Sequence, residues 1–240
     1  MNSYEGRRAL IVGGTSGVGL ATARAFAERG AETVVVSRSP HKLQAALAEL
    51  APLHGTSTAT PLDIRSDTEV EEFARSAGTF DHVVVSAAET PMGRVDTLPQ
   101  ADAYAAMDSK FWGAYRIARS VPIDPQGSLT LVAGYLSQRP SKASALQSAI
   151  NASLEALARG LALEYAPLRV NTVSPGLLRT PLWDGLAADA RDAMYEAAAG
   201  RLPVGRVGTP ADVAAAVLFL ADNPYTTGST VYVDGGGTIA

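Results

Sequence analysis

The stretch "IVGGTSGVGLATARAFAERGA" at residues 11–31 decides the fold of this chain. An apolar run leads into three closely spaced glycines, Gly13, Gly17 and Gly19, and a helical pattern follows at once. Glycine permits a tight turn, and the first turn of a helix offers unpaired N–H groups and a positive dipole end to an anion. The strict G-x-G-x-x-G fingerprint fails, because Thr22 lies where its last glycine or alanine belongs. The stretch still predicts a pyrophosphate site, since a plain strand-to-helix turn does not need three glycines.

Strand and helix patterns alternate along the whole chain. The strand candidates are continuous β-branched runs, which is typical of a sheet covered by helices on both faces. This alternation predicts an α/β fold, a Rossmann-type doubly wound parallel sheet of seven strands, in a single domain over residues 1–240. The predicted strands are 8–13, 33–37, 57–63, 82–86, 128–134, 168–174 and 230–234, and the main predicted helices lie near 18–29, 41–50, 67–77, 100–119, 143–165 and 210–221.

Composition excludes several classes of function. Apolar residues make up 47% of the chain and charged residues 18%, and a net charge of −4 without a basic stripe argues against nucleic acid or an anionic membrane as a partner. The chain has no cysteine, and its three histidines show no ligand spacing, so we expect no metal site. The first apolar run is too short for a signal peptide, and no segment approaches a membrane span. We therefore expect a soluble, cytoplasmic protein.

The end of the second predicted strand bears on the choice of cofactor. In "VVVSRSPHK" (34–42), Ser37 lies where a carboxylate would bind the ribose hydroxyls of NAD, and Arg38 follows it. A small hydroxyl and a guanidinium accept a 2′-phosphate, which a carboxylate would repel. The pattern therefore favours NADP(H) over NAD(H). The alternative interpretation of Arg38 is a solvated loop charge.

A long irregular stretch follows the sixth predicted strand. We expect residues 176–209 to form a substrate lid, with a short helix near 186–199, because loops of this length in compact domains are often lids. Its apolar side chains either line a pocket for an apolar or aromatic small molecule or pack the lid against the body of the domain. These side chains are Leu182, Trp183, Met194 and Tyr195.

Several motifs together resemble those of the short-chain dehydrogenase/reductase family. They are the spacing G-x-x-x-G-x-G in "GGTSGVG" (13–19), "SPGLLRTPLW" (174–183) and "GSTVYVDGG" (228–236). The resemblance extends over essentially the whole chain. It implies a single-domain, seven-stranded fold, a nicotinamide cofactor, oxidation or reduction of a small alcohol or carbonyl compound, and assembly as a homodimer or homotetramer.

The resemblance also implies which residues contact the cofactor. Asp63 in "PLDIR" matches the aspartate expected to bond the adenine amino group, and Thr180 matches the segment at the nicotinamide end. The family has Asn-Asn-Ala-Gly where this chain has "SAAE", so Glu89 replaces a glycine close to the expected cofactor. The predicted cofactor-binding set is Gly13, Thr15, Ser16, Gly17, Val18, Gly19, Ser37, Arg38, Asp63, Ile64, Ser86, Ala87, Ala88, Pro175, Gly176 and Thr180.

The residues that resemblance places at the catalytic positions are all substituted. The family uses a serine, a tyrosine and a lysine, supported by an asparagine on an earlier helix. The matching positions here are Gly134, Gln147, Asn151 and Lys110 in that order. The two carboxamides hydrogen-bond but do not titrate near neutral pH, so neither is a proton donor of the tyrosine kind.

Lysine and asparagine have thus exchanged places between two helices. Our hypothesis is that Lys110 restores the positive charge from the other wall of the pocket and donates the proton if burial lowers its pKa. A solvated surface lysine is the alternative. Tyr135 is a second candidate acid, or it packs beneath the lid. The sequence therefore predicts an NADP(H)-binding oxidoreductase with a non-standard active site; the alternatives are an inactive NADP(H)-binding module and the partner subunit of a hetero-oligomer.

Overall fold

A computed structural model of the chain describes residues 3–240, in which seven strands form one parallel sheet. The strand order is β3-β2-β1-β4-β5-β6-β7, so the direction of winding reverses between β1 and β4. The predicted α/β, doubly wound fold is confirmed. The strands are β1 (Arg8–Val12), β2 (Glu32–Ser37), β3 (Ser57–Pro61), β4 (Phe80–Val85), β5 (Ile123–Val132), β6 (Arg169–Pro175) and β7 (Thr230–Val233).

Helices cover both faces of this sheet and enclose two apolar cores. The helices are α1 (Gly17–Ala27), α2 (Pro40–Leu50), α3 (Asp67–Ala77), α4 (Gln100–Met107), α5 (Gly113–Ser120), α6 (Ala145–Glu164), α7 (Ala188–Ala199) and α8 (Pro210–Asp222). Buried side chains of α1, α2 and α8 pack on one face, and those of α3, α5 and α6 pack on the other. Because both faces are covered, the central strands β1, β2 and β4 are nearly continuous buried apolar runs, whereas the edge strand β3 is mostly exposed.

Local sequence signals explain where several helices begin. Ser39 and Ser66 accept hydrogen bonds from the backbone N–H groups three residues later and so cap α2 and α3. Thr209 and Asp212 form a capping box at the start of α8, with Pro210 at the first helical position. These caps satisfy N–H groups that a helix leaves without internal partners.

The helix predicted over 100–119 is not uniform. A π-helical turn, Asp108–Trp112, separates α4 from α5 and carries Lys110. Hydrophobic periodicity does not reveal a single wider turn, since the apolar face continues on either side of it. Single π turns inside helices are frequent at functional sites.

The crevice of the fold lies where the winding reverses. In open α/β sheets ligands bind outside the carboxyl ends of the strands at this switch point. Here the ends of β1 and β4 adjoin, with Val12 paired to Val85. Within residues 3–240, no helix is both long and apolar enough to cross a membrane.

Candidate active site

The structure brings the predicted cofactor residues to one edge of the sheet. Gly13 follows β1, Ser37 ends β2, Asp63 comes after β3, Ser86 follows β4 and Pro175 ends β6. The carboxyl ends of parallel strands meet at the same edge, so these positions line one cleft. The adjoining turns add Thr15, Ser16, Gly17, Val18, Gly19, Arg38, Ala87, Ala88, Gly176 and Thr180. Ile64 differs from the rest, because its side chain is buried in the core on the α3 and α5 face.

The glycine loop is packed so tightly that side chains would not fit. Gly13 has a φ of 81°, and a Cβ built on it would lie 2.6 Å from the backbone nitrogen of Ala87. A Cβ on Gly19 would lie 2.2 Å from the carbonyl oxygen of Gly13. Ser86 ties the two strand ends together, since its hydroxyl donates to the carbonyl oxygen of Val12 at 3.0 Å. The loop therefore needs glycine for close backbone approach.

The first turn of α1 is open towards the cleft. Its N-cap is Ser16, and in the described part of the chain no side chain caps the helix. Thr180 lies against the glycine loop from the opposite side, because a Cβ built on Gly17 would be 3.6 Å from Thr180 Cγ2. Unpaired N–H groups at a helix start, facing a narrow cleft, form an anion site. This geometry fits the pyrophosphate predicted from the sequence.

Four charged side chains meet beyond this loop. Arg38 and Glu89 form an ion pair of 3.0 Å between Nη2 and Oε2. Asp63 accepts hydrogen bonds from Arg65, the shortest 2.7 Å, and this contact lowers the pKa of the Asp63 carboxyl below its usual value. Arg65 Nη1 lies 4.0 Å from Glu89 Oε2. The cluster therefore pairs two guanidiniums with two carboxylates.

Lys110 is half-buried, and its ammonium is hydrogen-bonded inside the domain. Its Nζ donates to Asn151 Oδ1 at 2.7 Å and to the carbonyl oxygen of Ala133, just beyond β5, at 2.9 Å. Burial lowers the pKa of Lys110 from 10.5 to about 8. The two exchanged residues, Lys110 and Asn151, therefore contact each other directly. That Lys110 restores the positive charge of the pocket and donates the proton stays a prediction.

Gly134 and Asn151 are packed against each other. A Cβ built on Gly134 would lie 2.8 Å from Asn151 Nδ2, so a serine would displace the carboxamide. The same carboxamide accepts the hydrogen bond from Lys110 through its oxygen. The absence of a side chain at position 134 thus makes room for the group that holds the lysine.

Gln147 lies on α6 one turn before Asn151 and is buried. Its Nε2 donates to the carbonyl oxygen of Pro91, in the loop after β4. Its Oε1 has no hydrogen-bond partner among residues 3–240. A buried acceptor left unpaired costs about 1–3 kcal/mol, so this oxygen is a natural partner for a donor on a bound molecule.

The comparisons with known proteins agree with this geometry. A model of a family described as enoyl-(acyl carrier protein) reductase matches residues 12–238. A curated protein named short-chain dehydrogenase/reductase malC, from Malbranchea aurantiaca, is 30% identical over 97% of this chain and 94% of its own length. This chain belongs to the short-chain dehydrogenase/reductase family.

Other known proteins also match over nearly the full length. Carbonyl reductase family member 4 of Danio rerio is 29% identical over 96% of this chain and 97% of its own. A crystal structure of a small-chain dehydrogenase in complex with NADPH has 35% identity and a TM-score of 0.81, covering 98% and 99% of the two chains. The structure of MalC reductase/Diels-Alderase from Malbranchea aurantiaca has 25% identity and a TM-score of 0.91, covering 99% and 98%.

Sequence reasoning missed a buried glutamate in this family member. Glu155 accepts hydrogen bonds from Ser137 at 2.5 Å, from Tyr232 at 3.1 Å and from Ser174 at 3.3 Å. It lies four residues after Asn151, and this spacing of polar residues on an alanine-rich helix is a signal that could have revealed it. Glu155 therefore joins the turn after β5, which follows Gly134, to β6 and β7.

The remaining candidates are placed as follows. Tyr135 lies in a short 3₁₀ turn, and a Cβ on Gly237 would be 3.5 Å from its ring. Tyr195 is buried in a small cluster of the lid with Trp183 and Met194 packed around it, while Leu182 is exposed. No group of three or more histidine, aspartate or glutamate side chains within residues 3–240 could hold a metal ion.

Proposed function

We propose that this chain is an NADP(H)-dependent oxidoreductase that interconverts a carbonyl and an alcohol on a small molecule, with Lys110 as its proton donor. The observation that carries the proposal is the inward-facing Lys110 ammonium, bonded to Asn151 at the carboxyl end of β5. The NADPH complex of a structural relative supports the choice of cofactor. Family membership supports oxidoreduction on a small molecule.

The residues present fit the cofactor. Gly13 and Gly19 of the glycine loop have no room for side chains, and the open first turn of α1 suits a pyrophosphate. Arg38 supplies a guanidinium at the end of β2, where a 2′-phosphate is bound in folds of this type. Thr180 would meet the nicotinamide end across the cleft.

The chemistry divides between the cofactor and the protein. NADPH, when bound, supplies a hydride to the carbonyl carbon. The carbonyl oxygen takes a proton from Lys110 Nζ, which leaves an alcohol and a neutral amine that solvent reprotonates. An ammonium has three donors, and two of these bond Asn151 and Ala133, so the third is left for substrate. At pH 7 a lysine of pKa about 8 is mostly protonated and is a ready donor.

The other substituted positions support this role for Lys110. Asn151 orients the ammonium, and Gly134 gives Asn151 its space. The unpaired Gln147 Oε1 accepts from a donor on the substrate, such as the hydroxyl of the alcohol. Tyr135 packs beside Gly237, so we assign the proton to Lys110 and not to this tyrosine. Residues 176–209 act as the lid. The exposed side chain of Leu182 in this lid is available for an apolar contact with substrate.

An inactive NADP(H)-binding module is the second candidate. The hydrogen bonds within the pocket favour it, because groups that could bind substrate already have protein partners. Lys110 donates to two acceptors, and Gln147 Nε2 donates to Pro91. In that case the same contacts only stabilise the fold. Turnover distinguishes the two candidates, since binding alone consumes no NADPH.

The test measures NADPH absorbance over a panel of apolar, aromatic and acyl carbonyl compounds. Lys110→Met is expected to lower kcat about 10²–10⁴-fold while NADPH affinity is unchanged, because general acid catalysis is worth that much. Lys142→Met is the matched control, since Lys142 is exposed before α6. Full turnover in Lys110→Met would contradict the role of Lys110. NADPH binding without turnover on any compound would favour the binding module.

We also propose that the chain forms a homodimer or homotetramer. Trp112 and Tyr115 stack edge to face with ring centroids 5.7 Å apart, and both are partly exposed beside α5. Leu163 near the end of α6 is 83% exposed. Exposed apolar side chains that pack against each other, as Trp112 and Tyr115 do, mark interaction surfaces. Sedimentation of wild type and of a Trp112→Ser/Leu163→Ser variant tests this, and a wild-type monomer would contradict it.

A further inference from the structure

We propose that Glu89 is a specificity-determining residue that competes with the 2′-phosphate of NADP(H) for Arg38. This inference rests on the proposed function and extends it to the selectivity of the cofactor site. The starting observation is the 3.0 Å ion pair between Arg38 and Glu89, which places a carboxylate on the guanidinium that the 2′-phosphate requires. The Glu89 carboxylate thus lies where the 2′-phosphate of NADP(H) is expected.

Glu89 is held in this position by its backbone. Its N–H donates to the hydroxyl of Ser109, at 2.9 Å, in the π-helical turn. Two residues further, the carbonyl of Pro91 accepts from Gln147, and the N–H of Gly93 donates to the carbonyl of Ala143 at 3.2 Å. These hydrogen bonds hold the backbone of residues 89–93 in place, so the Glu89 side chain extends from a fixed position beside Arg38.

The surrounding charges make the competition direct. Asp63 neutralises Arg65 through its hydrogen-bonded contact, so Arg65 offers little free charge to a phosphate. Glu89 also lies 4.0 Å from Arg65, and so its carboxylate acts on both cations. The four side chains sum to zero charge, and a 2′-phosphate gains a favourable cationic site only when Glu89 leaves Arg38.

The strength of the effect follows from exposure. The side chains of Arg38 and Glu89 are 49% and 60% exposed, so solvent screens their attraction and a phosphate dianion can displace the carboxylate. Glu89 therefore weakens NADPH binding without preventing it. NADH has no 2′-phosphate and does not need Arg38, so its affinity is insensitive to the competition.

The experiment compares dissociation constants of NADPH and NADH by calorimetry for wild type, Glu89→Gln and Arg38→Met. Glu89→Gln is expected to tighten NADPH about fivefold and to change NADH less than twofold, and raising the salt concentration shrinks the difference. Glu28→Gln is the matched control, because Glu28 forms an exposed 3.0 Å pair with Arg24 away from the cleft. It is expected to change neither constant. Glu89→Gly, which restores the residue of the family, repeats the test with a different replacement.

The outcomes separate this inference from the proposed function. Unchanged or weaker NADPH binding in both Glu89 variants, with loss of NADPH affinity in Arg38→Met, overturns the role of Glu89 and leaves the cofactor assignment intact. Absence of NADPH binding in wild type and in both Glu89 variants overturns the cofactor assignment together with the inference. Thermal unfolding without ligand verifies that each variant is folded.

Discussion

The two walls of the cleft differ in how they depart from the family pattern. The loop wall, formed by Gly13, Gly17 and Gly19, keeps the family's glycines, and the backbone packing around two of them leaves no alternative. The helix wall is formed by Lys110, Gly134, Gln147 and Asn151, the positions that the family resemblance predicts to be substituted. In it, Lys110 bonds to Asn151, and Asn151 packs against Gly134. A site formed by closely packed backbone accepts few residue types, whereas hydrogen-bonding side chains can be replaced by others that form different contacts. The comparison supports our proposal that cofactor binding is retained and that Lys110 carries the proton transfer.

The largest loss of folding stability is expected in the loop wall, when one of its glycines is replaced by alanine. Gly19→Ala places a Cβ 2.2 Å from the carbonyl oxygen of Gly13, so the loop must shift. We expect about 3 kcal/mol or more of lost folding stability and loss of NADPH binding, measured by urea unfolding and calorimetry. The control is Gly160→Ala in α6, where nothing lies within 4 Å and alanine is expected to stabilise by about 0.5–1 kcal/mol. A Gly19→Ala variant that keeps its folding stability and its NADPH affinity would contradict the difference between the two walls.

The helix wall is expected to respond to pH. Burial lowers the pKa of Lys110 to about 8, so the ammonium that we propose as the proton donor is present below that pH and lost above it. The kcat for carbonyl reduction is therefore expected to fall about tenfold for each pH unit above 8, while oxidation, which needs the free amine, rises towards the same pH. A profile of kcat from pH 6 to 10 measures this. A reduction rate that is flat up to pH 10 would assign the proton to another group.

The smallest effect is expected for the contact within the helix wall. Gly134→Ala places its Cβ 2.8 Å from Asn151 Nδ2 and is expected to cost about 1–3 kcal/mol of folding stability. In the Gly134→Ala/Asn151→Ala double variant the collision is gone, so the two costs should fall short of additivity by about 1 kcal/mol. Urea unfolding of the four proteins measures the coupling. Strict additivity would mean that the two positions do not act together.

The loop wall and the sheet could be predicted from the sequence because their signals are local. Three glycines, a strand and a helix lie within twenty-one residues, and most of the strands carry an apolar run, although β3 does not. The resemblance located the four positions of the helix wall but not their contacts. Lys110 and Asn151 are 41 residues apart, and whether their side chains meet depends on how α6 packs against the π-helical turn.

Two further features could not be read from the sequence for the same physical reason. Glu89 was identified as a departure from the family, but its partner Arg38 is 51 positions earlier and reaches it only across the ends of β2 and β4. Glu155 has partners after β5, at the end of β6 and on β7. Contacts between side chains on different strands follow from the closed fold and not from spacing along the chain.

The most direct test of the account is the pKa of Lys110 itself. Carbon-13 NMR of protein labelled at the lysine Cε, with the signal assigned by its loss in Lys110→Arg, follows this group without any substrate. We predict half-titration near pH 8, in contrast to the ordinary lysine value of 10.5. Half-titration at about 10.5 would show that the Lys110 ammonium lies in solvent, and it would contradict the assignment of the proton to the helix wall.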